Sequence, residues 1–322
     1  MDATTTKRAS RAPAKAGLAM AKPAMPKPAM RVFDRTTQDV GNLVELGHVN
    51  VRVPDQRLAI LFYVTGLGLT RDPYLVTGVD NMWVNVGISQ FHLPVGPAQV
   101  LRGTTGLVIP DPDALEARLK MVAPRLEGTK FAYKRRGDTT EVTCPWGNAM
   151  RVHAPDAARF GRMNLGMPYV EVDAIPGASA GIVRFYQEII QTGGSVGEDS
   201  VGKFARIPIG LSESVIYRET PRASVPFDGH HLQVAFADFS GPHRRLVARG
   251  LITEESNESQ YRFQDIVCLD TGKVLSTIEH EVRSMRHPMF ARPLVNRNPD
   301  NTNNRYAAGW EDGMWRMPPA DI

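Results

Sequence analysis

Long apolar runs are missing from this chain. Nowhere do about 18 consecutive apolar residues occur, the length a helix needs to cross a bilayer, so no membrane span is expected. Cysteine is nearly absent. Cys144 and Cys268 lack CxxC spacing, which excludes a disulfide scaffold and leaves two reduced core thiols. Acidic residues are scarce at one end only: residues 1–42 hold eight Lys and Arg against three Asp, a surplus of five in a chain whose total is +4. The remainder is therefore close to neutral, which argues against nucleic acid as the main partner.

What residues 1–42 do contain is Ala, Pro and Lys, including AKPAMPKPAM, with no hydrophobic period. Such a segment buries too little apolar surface to fold and reads as a disordered basic tail. Organelle transit peptides share this composition, but the segment lacks the apolar stretch of a secretory signal, and the cytoplasm is the expected compartment. The rest of the 322 residues suffices for about two ordinary domains.

From Leu46 onward one unit recurs four times. A β-like run, GHVNVRVPD, leads into a helical pattern, QRLAILFYVTGLGL, and then into three short β-like runs ending at ISQFHLPVG. The second copy runs from TTGLVIPD through DALEARLKMVAPRL to TEVTCPWGNAMRVHAP. The third runs from MPYVEVDAIPG through SAGIVRFYQEII to SESVIYRETP, and the fourth from DGHHLQVAFAD through GPHRRLVARGL to YRFQDIVCLDTGKVLSTIEHEVRS. Repetition at this period indicates duplication. The expected architecture is α+β, four βαβββ modules, with modules one and two in 43–160, modules three and four in 165–290, and a C-terminal arm over 291–322.

His48 lies seven residues before Asp55, and His231 lies seven before Asp238. Two histidines at equivalent positions of two modules suggest one shared site. Strand side chains alternate, so adjacent His230 and His231 face opposite sides, and register with His48 selects His231. The same alternation in IEHEV puts Glu279 and Glu281 on one face and His280 on the other; Glu279 is the preferred carboxylate, with Glu281 as the alternative. Two imidazoles and one carboxylate on separate strands make an open metal site. At the corresponding places modules two and three offer Thr104, Tyr169, Arg151 and Tyr217, so only a pairing of module one with module four collects a ligand set.

This order of elements resembles the vicinal oxygen chelate superfamily, which includes glyoxalase I, methylmalonyl-CoA epimerase, fosfomycin-resistance proteins and extradiol dioxygenases, over roughly residues 43–290. The resemblance implies paired half-barrels around a divalent metal. The layout is most similar to the hydroquinone-cleaving extradiol dioxygenases, in which the first and fourth modules hold the metal and an HH pair opens the fourth. That likeness implies His48, His231 and Glu279 as ligands, His230 in the second sphere, and a useful second-sphere arginine at Arg262. Gly47 departs from the branch, which carries a second His there.

His92, in QFHLP, stands where glyoxalase I-type proteins carry a fourth ligand; it reads as that ligand, as a general base suited to neutral pH, or as a hydrogen-bonded barrel histidine. The resemblance implies a dioxygenase that binds Fe(II), or Mn(II), and cleaves a catechol or hydroquinone with O2, with His230 or His92 accepting a phenolic proton. The alternative it implies is a glyoxalase-type isomerase, epimerase or lyase with Ni, Co or Zn, acting through an enediolate and consuming no oxygen. A third reading is a binding protein without turnover. The implied partner is a small molecule, and a homodimer is the implied assembly. Trp83, Asn85, Phe91, Phe236 and Phe263 are expected to line the cavity; His153, His243 and His287 are expected at the surface or in turns; and RSMRHPMFARPLVNRNP is expected to be a plain arm.

Overall fold

The computed structural model describes residues 33–75, 80–221 and 226–296. Residues 1–32 of the expected basic tail and residues 297–322 of the expected C-terminal arm lie outside the described residues. The chain divides into two units, residues 1–39 and residues 40–322. The described part of the first is a single 3₁₀ turn, Thr36–Gln38, with the Asp34 carboxylate accepting from the Thr36 N–H and hydroxyl.

From Val40 onward the chain builds four successive βαβββ modules. The first contains β1 (Leu43–Asn50), α1 (Gln56–Ala59, continued as a π-helical stretch over Ile60–Gly66), β2 (Thr70–Arg71), β3 (Asn81–Val86) and β4 (Ser89–Pro94). The second contains β5 (Gly103–Val108), α2 (Pro112–Val122), β6 (Ala132–Arg136), β7 (Thr139–Thr143) and β8 (Ala149–His153). After a short α3 (Ala157–Phe160) come β9 (Gly166–Ala174), α4 (Ser179–Phe185, with a π-helical end over Tyr186–Ile190), β10 (Ser195–Asp199), β11 (Gly202–Ile209) and β12 (Glu213–Glu219). The fourth contains β13 (His231–Phe236), α5 (Ser240–Val247), β14 (Ile252–Asn257), β15 (Gln260–Val267) and β16 (Val274–Ser284).

The seven-residue spacing between His and Asp has a local cause. Asp55 caps α1 by accepting from the Arg57 and Leu58 N–H groups, Asp111 caps α2 through the Ala114 N–H, and Asp238 accepts from the Gly241 N–H in α5. Module three lacks such an aspartate. There Glu219 reaches in from β12 and accepts from the Gly177 and Ser179 N–H groups and from the Ser179 hydroxyl.

In every module the first strand pairs in parallel with the last, and the first strands of two modules pair antiparallel. Modules one and four share one eight-stranded sheet, ordered β14-β15-β16-β13-β1-β4-β3-β2; modules two and three share the other, ordered β10-β11-β12-β9-β5-β8-β7-β6. Sequence neighbours therefore do not share a sheet. One large apolar cluster draws on both sheets and on α1, α2, α4 and α5, so each sheet turns one face to this core. Among the described residues no helix is long and apolar enough to cross a membrane.

Polar groups within this core tie the sheets together. Tyr186 Oη lies 2.6 Å from Tyr217 Oη and 2.7 Å from His280 Nε2, while His280 Nδ1 lies 2.9 Å from the Ile278 carbonyl. Tyr217 thus faces the core and not a last-strand ligand position, as sequence alignment of the modules had suggested; that place belongs to Ile216, which pairs with Glu171. Glu213 crosses from β12 to the other sheet, accepting from the Leu46 N–H at 3.1 Å and meeting the Ser89 hydroxyl at 2.7 Å.

Burial of Glu213 pushes its pKa up to about 8 against the hydrogen bonds from Ser89 and Leu46. The folded state therefore holds a proton that the unfolded chain releases near its ordinary value of 4.5. Stability falls as pH rises between those values, at about 1.4 kcal/mol per unit for a fully titrating group. Glu213→Gln can accept from Leu46 and donate to Ser89 without carrying a charge. We expect this variant to flatten much of the decline in melting temperature between pH 5 and 8; an unchanged pH profile would refute the assignment.

Candidate metal centre

The sheet of modules one and four carries its polar residues on the face away from the helices. Antiparallel pairing of β1 with β13 sets His48 opposite Gln233 and Asn50 opposite His231. Parallel neighbours then place Gln90 beside His48 and His92 beside Asn50, and Glu279 beside His231 and Glu281 beside Gln233. A pseudo-two-fold axis through the β1–β13 pair thus exchanges His48 with His231, Asn50 with Gln233, His92 with Glu281 and Gln90 with Glu279. Because alternate residues share a face, all eight side chains lie together. A bulge at Gly47 makes this register: Leu46 pairs with Val234 and His48 with Gln233, so β1 turns over between them.

Three of these side chains form one potential donor cluster: His48, His92 and His231 have ligand nitrogens all within 4.8 Å of one another. His48 Nε2 and His231 Nε2 are 3.5 Å apart, and Glu281 Oε2 is 3.5 Å from the same His231 nitrogen. Glu279 lies on the other side of that ring, its Oε2 3.6 Å from His231 Nδ1. Arg262 spans both carboxylates, 2.9 Å from Glu279 and 2.6 Å from Glu281, and Arg283 holds the second Glu281 oxygen at 2.7 Å. His92 stacks on Trp83 at 3.8 Å between ring centres, and its Nε2 lies 2.7 Å from Asn81 Oδ1. Trp83 also meets His48 edge-on at 4.9 Å.

Electrostatics keeps these imidazoles neutral. Burial, then the positive fields of Arg283 and Arg262, push the His92 pKa down to about 3. His48 and His231 are held well below the ordinary histidine value, foremost by burial and then by Arg283 and Arg262 respectively. A neutral imidazole offers the lone pair a metal requires. Burial raises the pKa of Glu279, opposed by Arg262.

The sequence-derived residues divide between two places. His48, His231, Glu279, Glu281, His92 and Arg262 come together. His230 does not join them: it is fully buried just before β13, its Nδ1 lies 2.6 Å from Asp228 Oδ1, and its ring packs on Phe227. Trp83 and Asn85 lie on the site face, whereas Phe91, Phe236 and Phe263 point into the apolar core, because they fall at the alternate strand positions. His153 is also buried, with Nε2 2.9 Å from Tyr169 Oη, contrary to the surface place expected for it.

The expected plain arm is, over residues 285–296, a strap folded across the site face. Arg292 pairs with the buried Asp72 at 2.6 Å, Asn85 donates to the Val295 carbonyl, and Asn296 exchanges two hydrogen bonds with the Gly87 backbone. The sequence reading missed this strap and the amides Asn50, Gln90 and Gln233. The amides were within reach, since each lies two positions from a site histidine. The empty place at Gly47 is also explained: a Cβ there would collide with the Gln233 side-chain oxygen.

No protein-family model matches this chain, and no curated protein sequence does. Solved structures do. A putative dioxygenase from Bacillus subtilis subsp. subtilis str. 168 is similar with a TM-score of 0.51 over 77% of this chain and 87% of its own, at 14% identity. Glyoxalase I from Zea mays is similar with a TM-score of 0.54 over 76% of this chain and 93% of its own, at 11% identity. Identities this low speak for the fold and leave the reaction open. With four βαβββ modules in paired half-barrels, the chain has the vicinal oxygen chelate fold.

Proposed function

We propose that the protein is a metal-dependent enzyme in which His48, His92, His231 and Glu281 hold a divalent cation, and that it acts as an isomerase, epimerase or lyase on a small molecule with two adjacent oxygens. The observation that carries this reading is the fourth donor. His92 is the symmetry counterpart of Glu281, and its imidazole shares the cluster with His48 and His231.

The three histidines fit such an ion, and Glu281 adjoins them. Ligand atoms about 2.0–2.2 Å from one metal lie roughly 3–3.5 Å from each other; His48 Nε2 and His231 Nε2 are 3.5 Å apart within the three-histidine group, and Glu281, outside that group, is 3.5 Å from His231 Nε2. Nitrogen-rich sites of this kind suit Zn, Ni or Co. When bound, the metal supplies a Lewis acid for a substrate carbonyl. Held by these residues, the ion would also bind a pair of adjacent substrate oxygens. Glu279 stays outside the donor set, behind His231 Nδ1, where it orients that ring. Arg262 keeps both carboxylates in place, and Trp83 with the strap limits the entry of water.

A ring-cleaving Fe(II) dioxygenase is the second reading, and one observation favours it: the His92 Nε2 contact with Asn81 and the stacking on Trp83 hold this ring by groups other than a metal. With His92 retained as a base, two imidazoles and one carboxylate leave three positions for catechol or hydroquinone oxygens and O2. His230, fully buried with its Nδ1 2.6 Å from Asp228 Oδ1, is held by that carboxylate on this reading too.

Two measurements test these assignments. In equilibrium dialysis with Zn(II), we expect His231→Ala and Glu281→Gln to weaken retention by more than about 100-fold, Glu279→Gln by about 10-fold, and His230→Ala hardly at all. Equal loss in the two glutamate variants would remove Glu281 as the sole carboxylate donor. For the reaction, protein reconstituted anaerobically with Ni(II), Co(II) or Fe(II) is offered catechols, hydroquinones and methylglyoxal–thiol adducts. Turnover of an adduct without oxygen uptake, abolished by His92→Ala, is the expected result; stoichiometric oxygen uptake by the Fe(II) protein would transfer the assignment to the dioxygenase.

A further inference from the structure

Beside the candidate centre lies a cavity of about 20 Å3, enclosed by Gly47, His48, Gln233, Arg283 and the strap residues Met289 and Leu294. Its size admits one or two oxygen-sized atoms. Two of its walls carry hydrogen-bond donors that the protein leaves unused. Gln233 is 2% exposed, yet its Nε2 has no partner. The side-chain oxygen of the same amide fills the space a Cβ would take at Gly47.

Arg283 is the second wall, 8% exposed. Its Nε donates to Gln260 at 3.0 Å and one Nη pairs with Glu281 at 2.7 Å, but the other Nη has only the Met289 sulfur at 3.3 Å. A thioether is a weak acceptor, so N–H capacity remains. Of the other charged groups of the cavity, Arg292 pairs with Asp72, while burial pushes the Glu45 pKa up to about 7 against the hydrogen bond from the Ala291 backbone and the field of Arg283, so this carboxyl is neutral below that pH.

We propose that Gln233 and Arg283 form an oxyanion pocket for a carboxylate oxygen of the substrate, which makes the substrate of this centre a small carboxylate-bearing molecule. The inference rests on the metal reading only for where the reacting oxygens lie. A charged oxygen between a guanidinium and an amide N–H, shielded from water by Met289 and Leu294, gains strong charge-assisted hydrogen bonds. An uncharged carbonyl in the same place gains much less.

Acetate and acetamide have one shape and differ in charge. They are titrated at constant ionic strength into the full chain, both Zn-loaded and stripped with EDTA, and affinities are read by calorimetry. Stripped wild type is expected to bind acetate at least about 10-fold more tightly than acetamide, and Gln233→Met to lose about 10-fold for acetate alone. Equal affinity for the two probes in stripped wild type overturns the proposal, as does unchanged acetate binding in a folded Gln233→Met. The wild-type comparison stands whether or not that variant folds. Discrimination by a protein that retains no Zn keeps the pocket and removes the metal reading; Zn retention without discrimination does the reverse.

Discussion

The antiparallel register of β1 against β13 places every side chain of the candidate centre. With His48 opposite Gln233 and Asn50 opposite His231, both first-strand histidines fall on the same face as His92 and Glu281 of the flanking last strands. A slip of one residue would turn the whole set of one strand into the apolar core. Even the correct register needs an irregularity. Leu46 belongs to the core and His48 to the site, and in a regular strand residues two apart share a face. The extra residue at Gly47 reverses that parity, and a Cβ there would displace the Gln233 amide oxygen.

A sheet face made of His, Glu, Gln, Asn and Arg is costly to bury, and most of its polar groups are satisfied within it. Gln90 donates to Asp72 and Asn85, Arg262 forks across Glu279 and Glu281, and Asn81 meets His92. Asn50 Oδ1 and Gln233 Nε2, at the centre, are buried without a hydrogen-bond partner, as are atoms elsewhere among the described residues such as Tyr63 Oη and Thr192 Oγ1. The two arginines have a further effect. Their positive fields add to burial in discouraging protonation of the imidazoles, which keeps the nitrogen lone pairs available.

Much of this was legible in the sequence for physical reasons. The spacing from histidine to aspartate survives because a strand of fixed length must deliver the chain to a capped helix, as at Asp55, Asp111 and Asp238. Strand alternation alone separated His230 from His231. Alternation could not decide between Glu279 and Glu281, which share a face; that distinction depends on which residue of β13 lies beside each, a non-local fact. The same limit applies to Phe91, Phe236 and Phe263, whose parity was unreadable without the pairing. The strap escaped notice because residues 285–296 have no period, and their hold on the site face runs through single side chains and backbone groups.

The second sheet shows what the same framework becomes without those donors. Thr104, Tyr169, Arg151 and Ile216 occupy its equivalent positions, and Phe160 and Met163, from the segment after β8, pack with Val108, Tyr169 and Ile216 into a small apolar cluster. In both sheets the chain leaving a last strand folds back over the face just completed. Over the second sheet that cover is an apolar cluster, although the buried Arg218, on the same face as Ile216, also keeps an unpartnered Nε. Over the first it is a strap joined by the Arg292–Asp72 ion pair and the Asn296–Gly87 hydrogen bonds, with a cavity and unpaired donors beneath it. The two faces thus share one framework of strands, and they differ in the donors they carry and in what covers them, an apolar cluster on one and a strap tied by an ion pair on the other.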